Sequence, residues 1–335
     1  MIAELLAMSG ICGCFRDLRV PLELMPFSLP QGACPTMARS WFLAFSFVFL
    51  CVASPSSGYA QIFRVDYGSK KTSGQIKNGQ VTATIEHQRR INSDGSNVVQ
   101  PVVNVQVGDL AVGSMSTEEV GSPNSILQIV ELDPSNPYPE VLLSTFTGGA
   151  HCCNDTRVLT SDASGKYWSE VKLGLSDGGT DFASDPLRIG RNVIVGRDDR
   201  FLYRFGSYAN SWAPARIWQL NGSKFVDVSH LPEYRPIHRK SLGNMSSWFS
   251  QRNQDEPNGF LAAYVANKSL VEELFDGWDR MLLRYDPNEK WGLTVCAAGY
   301  EDNGSCKAKE LVYDSYPQAL RAFLIDTSYL SESGR

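Results

Sequence analysis

Residues 125–147 read SILQIVELDPSNPYPEVLLSTFT, and the expected fold class follows from this segment. Two runs rich in aliphatic and β-branched residues, 125–132 and 140–147, flank a short segment that contains three prolines. Runs of this length, bounded by proline, asparagine and serine, are typical of β-strands. The stretch therefore predicts two strands joined by a proline-rich turn.

Similar runs recur on both sides of this pair, without helical patterns between them. They lie at 81–91, 100–107, 167–175, 191–197, 201–205, 215–220 and 224–229. Short strands at such regular spacing predict an antiparallel β-rich region, either propeller-like or sandwich-like. We expect this region to span residues 61–230.

The pattern changes after residue 230. Residues 231–247 contain two prolines and several cationic side chains, and we expect a linker there. In residues 248–335, apolar side chains recur every three or four positions, which predicts helices. One is expected to begin at Asn267 or Ser269, a shorter one to precede it around Phe260, and another to be capped by Ser315. The expected fold class is therefore α+β, with a small helical C-terminal region.

The N-terminal segment has the layout of a signal peptide. A short basic start at Met37 precedes an apolar run at 41–53, which is shorter than the roughly 20 residues that span a bilayer. Gly58 and Ala60 supply the small residues that signal peptidase requires, so we expect cleavage after Ala60. Residues 1–36 fit an overextended gene start, and a signal-anchored membrane protein is the alternative. The mature protein is expected to be periplasmic or secreted, without a stable membrane anchor.

Charge argues against nucleic acid as a partner. The 335-residue chain has a formal net charge of −5 and a pI near 5.5, whereas nucleic-acid binding needs a clustered basic surface. Residues 61–335 are long enough for a substantial hydrophobic core.

Four cysteines follow the predicted cleavage site: Cys152, Cys153, Cys296 and Cys306. In an exported protein an even number of cysteines indicates disulfides, and four permit three pairings. Cys296 and Cys306 bracket a polar segment that suits a closed surface loop, which leaves Cys152 and Cys153 to each other. Bonds between adjacent cysteines need a tight turn, which Gly148 and Gly149 would permit. Cross-links between the two regions of the chain, and free thiols, remain the alternatives.

The segment TGGAHCCNDT, residues 147–156, is the most distinctive in the chain. His151, the two thiols and Asp155 are ligand types that zinc or copper accepts, although adjacent side chains in a strand point to opposite faces. A second interpretation is that one cysteine is a nucleophile assisted by His151. The glycines favour a third interpretation, in which the segment is a disulfide-closed connection, or clasp, between two strands.

Acidic residues occupy several predicted turns between 125 and 230. Asp133, Glu140, Asp177, Asp181 and Asp185 lie at such positions, and the last three are candidate calcium ligands. This part of the chain resembles the FG-GAP or VCBS repeats of secreted bacterial proteins. The resemblance implies an exported module with propeller-like blades that acts by binding or as a scaffold.

Two further residues are candidates for function. Ser176 lies in GLSDG, which matches the G-x-S-x-G pattern, but the glycine- and aspartate-rich residues after it oppose the helix that a nucleophile elbow requires. Trp212 lies in a predicted loop and is expected to be an exposed contact for a sugar or a peptide.

These features predict an exported, soluble binding or scaffold protein, stabilised by disulfides, with a protein or carbohydrate as its ligand. No cofactor is required by the sequence, although calcium or zinc would suit the acidic and cysteine-containing segments. A catalytic activity is the less favoured expectation. The alternative function is a secreted hydrolase or metal-binding protein that uses His151, Cys152 and Cys153.

Overall fold

The computed structural model describes residues 60–177, 179–180, 182–251, 256–296 and 306–332. The predicted signal peptide before Ala60 and the predicted overextended start at 1–36 lie outside these residues. So does Asp181, one of the candidate calcium ligands. The described residues belong to one compact unit.

The described residues form mainly strands up to residue 227 and mainly helices after it. The strands are β1 (Gln61–Val65), β2 (Ser73–Asn78), β3 (Val81–Ile91), β4 (Asn97–Val107), β5 (Leu110–Ser116), β6 (Ser125–Val130), β7 (Glu140–Phe146), β8 (Asn154–Ser161), β9 (Trp168–Ser176), β10 (Ala183–Ser184), β11 (Val193–Arg197), β12 (Ala215–Asn221), β13 (Lys224–Asp227), β14 (Thr294–Cys296) and β15 (Glu310–Val312). The helices are α1 (Arg235–Gln251), α2 (Asn258–Leu270), α3 (Leu274–Leu282) and α4 (Tyr316–Asp326). The fold is therefore α+β, with antiparallel sheets followed by a small helical region.

Three antiparallel sheets are stacked. A five-stranded sheet, in the order β1-β6-β7-β8-β9, lies between a first four-stranded sheet, β2-β3-β4-β5, and a second, β10-β11-β12-β13. On one face Leu127 and Leu143 pack with residues of the first four-stranded sheet. On the other face Leu142 packs with residues of the second, including Ile194. The five-stranded sheet is thus buried on both sides at its centre.

This burial explains why the stretch at 125–147 is so continuously apolar. All six residues of β6 and six of the seven residues of β7 are buried. A strand covered on both faces needs apolar side chains at successive positions, whereas a strand with one solvated face alternates. Strand β3 is an example of the second kind, because alternate residues are buried in its N-terminal half.

A buried glutamine fixes the second four-stranded sheet to the five-stranded sheet. The Gln128 side-chain amide donates to Ala183 O over 2.9 Å, and Ala183 N–H donates to Gln128 Oε1 over 2.9 Å. Both hydrogen-bonding groups of a fully buried amide are therefore paired, which offsets the cost of its burial. The stacking of three sheets agrees with a sandwich-like interpretation, and the predicted propeller-like architecture is not supported.

Residues 231–247, which were expected to be a linker, form a short 3-10 turn and most of a helix instead. A short 3-10 turn at Pro232–Tyr234 leads directly into α1, and Pro236 lies in the first turn of that helix, where its missing N–H costs nothing. Tyr234 is buried in a core shared with Ile217 of β12. The prolines therefore mark a helix start instead of a break.

Two other elements differ from prediction. The helix expected from Asn267 or Ser269 is interrupted, because α2 ends at Leu270 and α3 begins at Leu274, with Glu272 at a φ of 63° between them. Residues 201–205, expected to form a strand, follow a 3-10 turn at Asp199–Phe201 and contain Tyr203 at a φ of 58°. The helix after Ser315 is α4, as predicted.

The helical region has its own core. Phe260 and Leu261 of α2 pack with Leu320 and Phe323 of α4, and Phe201 and Phe205 from the connection between β11 and β12 enter the same cluster. Among the described residues, no helix combines the length and the apolar character needed to cross a membrane.

Candidate functional site

The site is built around the connection between β7 and β8. At its base, Thr147 N–H donates to Cys153 O over 2.8 Å, and Cys153 N–H donates to Thr147 Oγ1 over 2.9 Å. Gly148 adopts a φ of 94°, which favours glycine, and Cys152 is bonded to Cys153 through a disulfide. The connection is therefore a closed loop with His151 next to the disulfide.

His151 is held from two sides. Its Nδ1 lies 2.8 Å from Asp177 Oδ2, at the end of β9, and the Tyr208 ring stacks on the imidazole with 3.9 Å between ring centroids. On the other ring nitrogen, His151 Nε2 lies 3.3 Å from the Tyr203 hydroxyl. When Nδ1 carries the proton that Asp177 accepts, Nε2 accepts a hydrogen bond from Tyr203. We call His151, Asp177, Tyr203 and Tyr208 the histidine cluster.

Asp177 joins the cluster to two neighbouring segments. Its Oδ1 accepts a hydrogen bond from the Tyr208 hydroxyl over 3.1 Å and lies 3.5 Å from the Arg197 guanidinium. Arg197 also donates to the Asp177 carbonyl oxygen over 2.6 Å, and Asp177 N–H donates to Asp199 Oδ2 over 2.7 Å. These contacts place a buried carboxylate beneath a partly exposed imidazole.

Tyr203 is fixed by its backbone. Its φ of 58° lies in the left-handed region, which is unfavourable for a bulky residue and persists only where neighbours enforce it. Tyr203 N–H donates to Ser211 Oγ over 3.2 Å, and Trp291 Nε1 donates to Tyr203 O over 2.7 Å. The side chain of Tyr203 is 49% exposed, so the strained backbone presents a ring at the surface above His151.

Two groups of the site have shifted pKa values. Burial raises the pKa of Asp199 above its usual range, and the nearby Asp177 carboxylate adds to this effect. Within the described part of the chain, Asp199 Oδ1 is buried without a hydrogen-bond partner. Burial also raises the pKa of Tyr208, again with a contribution from Asp177. The site thus places two carboxyl groups and the Arg197 guanidinium below its aromatic surface.

The structure brings together only some of the residues singled out in the sequence. His151 and Asp177 meet, although they were considered for different kinds of site. Asp155 is paired instead with Arg157 at 2.7 Å, and Asp185 accepts the backbone N–H groups of Ile189 and Gly190 in a turn. In the described residues no three histidine, cysteine, aspartate or glutamate side chains are grouped as metal ligands.

The remaining candidate residues lie outside the histidine cluster. Trp212 lies in the loop before β12, is half-buried and packs against the helical core, and its role as a contact for a ligand stays a prediction. Ser176 ends β9, and its buried Oγ has no partner among the described residues. Asp133 and Glu140 bond to backbone N–H groups of the turn between β6 and β7, including those of Ser135 and Leu132. Cys296 is bonded to Cys306.

Sequence reasoning did not place Arg197, Asp199, Tyr203 and Tyr208 together with His151 in one site. Arg197 is the last residue of β11, and the other three lie in the connection between β11 and β12, where residues 201–205 were expected to form a strand. In a strand, Tyr203 would alternate with its neighbours instead of facing His151. No local signal indicates the left-handed conformation of Tyr203, since that conformation is enforced by Ser211 and Trp291 from elsewhere in the chain.

The chemistry of the histidine cluster follows from its geometry. A carboxylate orients an imidazole, and the second imidazole nitrogen faces a tyrosine hydroxyl, an arrangement that can bind hydroxyl groups or move a proton. The adjacent thiols are joined in a disulfide, so they are neither metal ligands nor nucleophiles in this state. The exposed rings of Tyr203 and Trp291 add an apolar surface.

Fold and site together define an α+β protein of three stacked antiparallel sheets, with a histidine–carboxylate–tyrosine cluster beside a disulfide-closed loop. Residues 238–328 match the model of the sll0997 C-terminal domain. Over 262 residues the chain is 44% identical to the probable thylakoid lumen protein sll0997 of Synechocystis sp., covering 78% of this chain and 76% of that protein. The chain belongs to the family of that protein.

A second relative shares part of this chain. It is the uncharacterized protein y4bJ of Sinorhizobium fredii, 32% identical over 212 residues, which are 62% of this chain and 32% of y4bJ. The matched residues therefore span about a third of y4bJ. No solved structure matches the chain. The resemblance to FG-GAP or VCBS repeats is not supported by the family match or by these relatives.

Proposed function

We propose that this protein is an exported binding protein whose ligand site is the histidine cluster, and that its ligand is a carbohydrate. The observation that carries the proposal is the ring of Tyr203, 49% exposed and held over His151 by an enforced backbone conformation. Strained backbone conformations of this kind cluster at functional sites.

The combination of groups suits a sugar. Aromatic faces at Tyr203 and Trp291 can stack on the C–H faces of a pyranose, and His151 and the Tyr203 hydroxyl offer hydrogen bonds to its hydroxyl groups. Asp177 holds the imidazole in place before a ligand arrives, which lowers the entropic cost of binding.

Export is supported by three observations. Residues 37–60 have the composition of a signal peptide, the family relative carries the name of a lumen protein, and the cysteines form two disulfides. The corresponding measurement is the intact mass of the protein recovered outside the cytoplasm. We expect a mature chain that begins at Gln61, and a cytoplasmic protein retaining residues 37–60 would contradict export.

The ligand is tested by calorimetric titration with maltotriose, cellotriose and chitotriose. We expect at least one to bind saturably, and Tyr203→Ala to weaken that binding at least tenfold, about 1.4 kcal/mol. Tyr167→Ala is the matched control, because Tyr167 is 76% exposed and belongs to a different surface turn. Binding that survives Tyr203→Ala, or the absence of any saccharide binding, would contradict the proposal.

A secreted hydrolase is the second candidate function, favoured by the 2.8 Å contact between His151 Nδ1 and Asp177. A carboxylate-oriented imidazole can act as a general base toward a hydroxyl or a water. Hydrolysis of 4-nitrophenyl acetate above the background rate, abolished by His151→Asn, would support it. Equal rates for the wild type and His151→Asn would exclude a role of this base in that reaction.

A further inference from the structure

A separate polar pocket lies at the end of the five-stranded sheet. It has a volume of 170 Å³ and is lined by residues from β1, β6, β7 and β8 and the connections next to them. It lies on the face that carries the second four-stranded sheet, and its members Phe146 and Asn154 pair across the base of the closed loop. None of its lining residues belongs to the histidine cluster.

The pocket contains opposite charges that are not paired with each other. Arg64 lies in β1, Val65 ends that strand, and Asp66 follows it; Val65 is 1% exposed, whereas Arg64 and Asp66 are exposed. Both charged residues line the pocket. Within the described residues, the Arg64 guanidinium has one contact, with the Phe182 ring at 5.7 Å, and the Asp66 carboxylate has no ion pair.

Two amides complete the polar lining. Asn124 and Asn154 each present a donor and an acceptor, and their side chains make no hydrogen bond to other described residues. Ser144 contributes an acceptor. Since Thr156 has one hydroxyl proton and Thr180 O can only accept it, Ser144 Oγ donates to Thr156 and keeps its lone pairs for the pocket.

The apolar part of the pocket is small. Ile126 and Phe146 line it, and a volume of 170 Å³ corresponds to roughly six water molecules at about 30 Å³ each. The pocket therefore has room for a small molecule with a short side chain. A purely anionic ligand would be repelled by Asp66, and a purely cationic one by Arg64.

We propose that this pocket binds a small zwitterion with adjacent ammonium and carboxylate groups, such as a free α-amino acid. The carboxylate pairs with Arg64, the ammonium group pairs with Asp66, and the two asparagine amides hydrogen-bond to both. Ile126 and Phe146 accommodate the short side chain. This site is independent of the carbohydrate proposed for the histidine cluster.

The test is a calorimetric titration of the protein with L-alanine, with propionate and ethylamine as matched half-ligands. Propionate lacks the ammonium group, and ethylamine lacks the carboxylate. We expect L-alanine to bind saturably and each half-ligand to bind at least tenfold more weakly. If propionate bound as tightly as L-alanine, the pocket would be a simple anion site and the proposal would be overturned. A lack of L-alanine binding at about 10 mM would also overturn it, because at that concentration only binding free energies weaker than about 3 kcal/mol escape detection.

Variants connect the binding to the pocket. Arg64→Gln and Asp66→Asn are each expected to weaken L-alanine binding at least tenfold, whereas Arg89→Gln and Asp109→Asn, on exposed residues outside the pocket, leave it unchanged. All four residues are exposed, so the fold tolerates these changes. Equal binding by the wild type and both pocket variants would overturn the proposal. Saccharide binding serves as the separate readout, because it should persist in Arg64→Gln.

Discussion

At the scale of single residues, the closed loop depends on Gly149 as well as on its disulfide. A Cβ atom added at Gly149 would lie 2.1 Å from the Cys152 carbonyl oxygen, and that neighbour is backbone, so the loop would have to shift. The position of His151, two residues away, depends on this close approach. The glycines that first suggested a clasp therefore have an identifiable steric role.

We expect Gly149→Ala to lower the free energy of unfolding by about 1 to 3 kcal/mol, because the added methyl group forces a backbone displacement. Urea denaturation measures this change. Gly121→Ala is the control, since a Cβ atom there meets nothing within 4 Å. Equal stability of the two variants would show that the approach of Gly149 to Cys152 is not required.

Only some residues of the histidine cluster and its loop could be selected from the sequence. His151, Cys152 and Cys153 could be selected from the sequence because their types and spacing are unusual. Asp177 was selected for another reason, and its 2.8 Å contact with His151 joins residues 26 positions apart. Tyr203 could not be predicted, because its conformation results from hydrogen bonds to Ser211 and Trp291 that only the folded chain brings near.

At the scale of elements, α1 is tied to the second four-stranded sheet by a buried histidine. His238 Nε2 donates to Ser229 O over 2.8 Å, just after β13, and the imidazole is fully buried. Burial lowers the pKa of His238, and the same cause lowers the pKa of His87 in β3. Both imidazoles are therefore kept neutral by the folded state.

This predicts that acid destabilises the protein below about pH 6.5, the usual histidine pKa. Below that pH the unfolded chain binds protons at histidines that stay neutral in the folded chain. Each such histidine therefore lowers the free energy of unfolding by at most about 1.4 kcal/mol per pH unit. Glu131 acts in the opposite direction. Partial desolvation of its carboxylate raises the pKa of Glu131 to about 7 even though the residue is exposed, and the nearby Glu140 and Asp133 carboxylates add to this; its contribution is therefore present below about pH 4.5 and is lost as the pH rises to 7.

The measurement is the free energy of unfolding at pH 5.5 and pH 7.5, in the wild type and in His238→Gln. We expect the acid loss attributable to His238 to disappear in the variant, even if the variant is less stable at both values. His230→Gln, on an exposed histidine, is the control and should retain the wild-type difference. The same pH dependence in all three proteins would contradict the prediction.

The elements were the most predictable part of the fold. Periodicity locates β3, β6, β7, β9 and α4 because each carries a regular apolar pattern between clear boundaries. It fails at α1, where Pro236 and the cationic residues resemble a linker. What makes that segment helical is the packing of Tyr234 and Ile237 against the second four-stranded sheet, a tertiary contact without a local signal.

At the scale of the whole molecule, the two disulfides divide the cysteines into local pairs. Cys152 is bonded to its neighbour, and Cys296 to a residue ten positions away, so neither bond joins the β-rich region to the helical region. Cohesion between those regions therefore depends on noncovalent contacts, among them the packing of Phe201 and Phe205 in the helical core and the hydrogen bond from His238 to Ser229 O.

We expect a chain that begins at Gln61 to show no alkylation of its denatured form before reduction and four adducts after it, by intact mass. Peptide mapping of the oxidised protein should then find Cys152 and Cys153 on one peptide. A disulfide that joins residue 152 or 153 to residue 296 or 306 would overturn the local pairing. Two adducts before reduction would show two free thiols, and a metal site or a nucleophile beside His151 would again have to be considered.

The entry of Phe201 and Phe205 into the helical core has a consequence for the independence of the C-terminal region. The match to the sll0997 C-terminal domain begins at His238, inside α1, yet these two rings of the hydrophobic interior lie more than thirty residues upstream. A chain of residues 238–328 alone would lack both rings. We therefore expect that segment to fold poorly when it is produced without the residues that precede it.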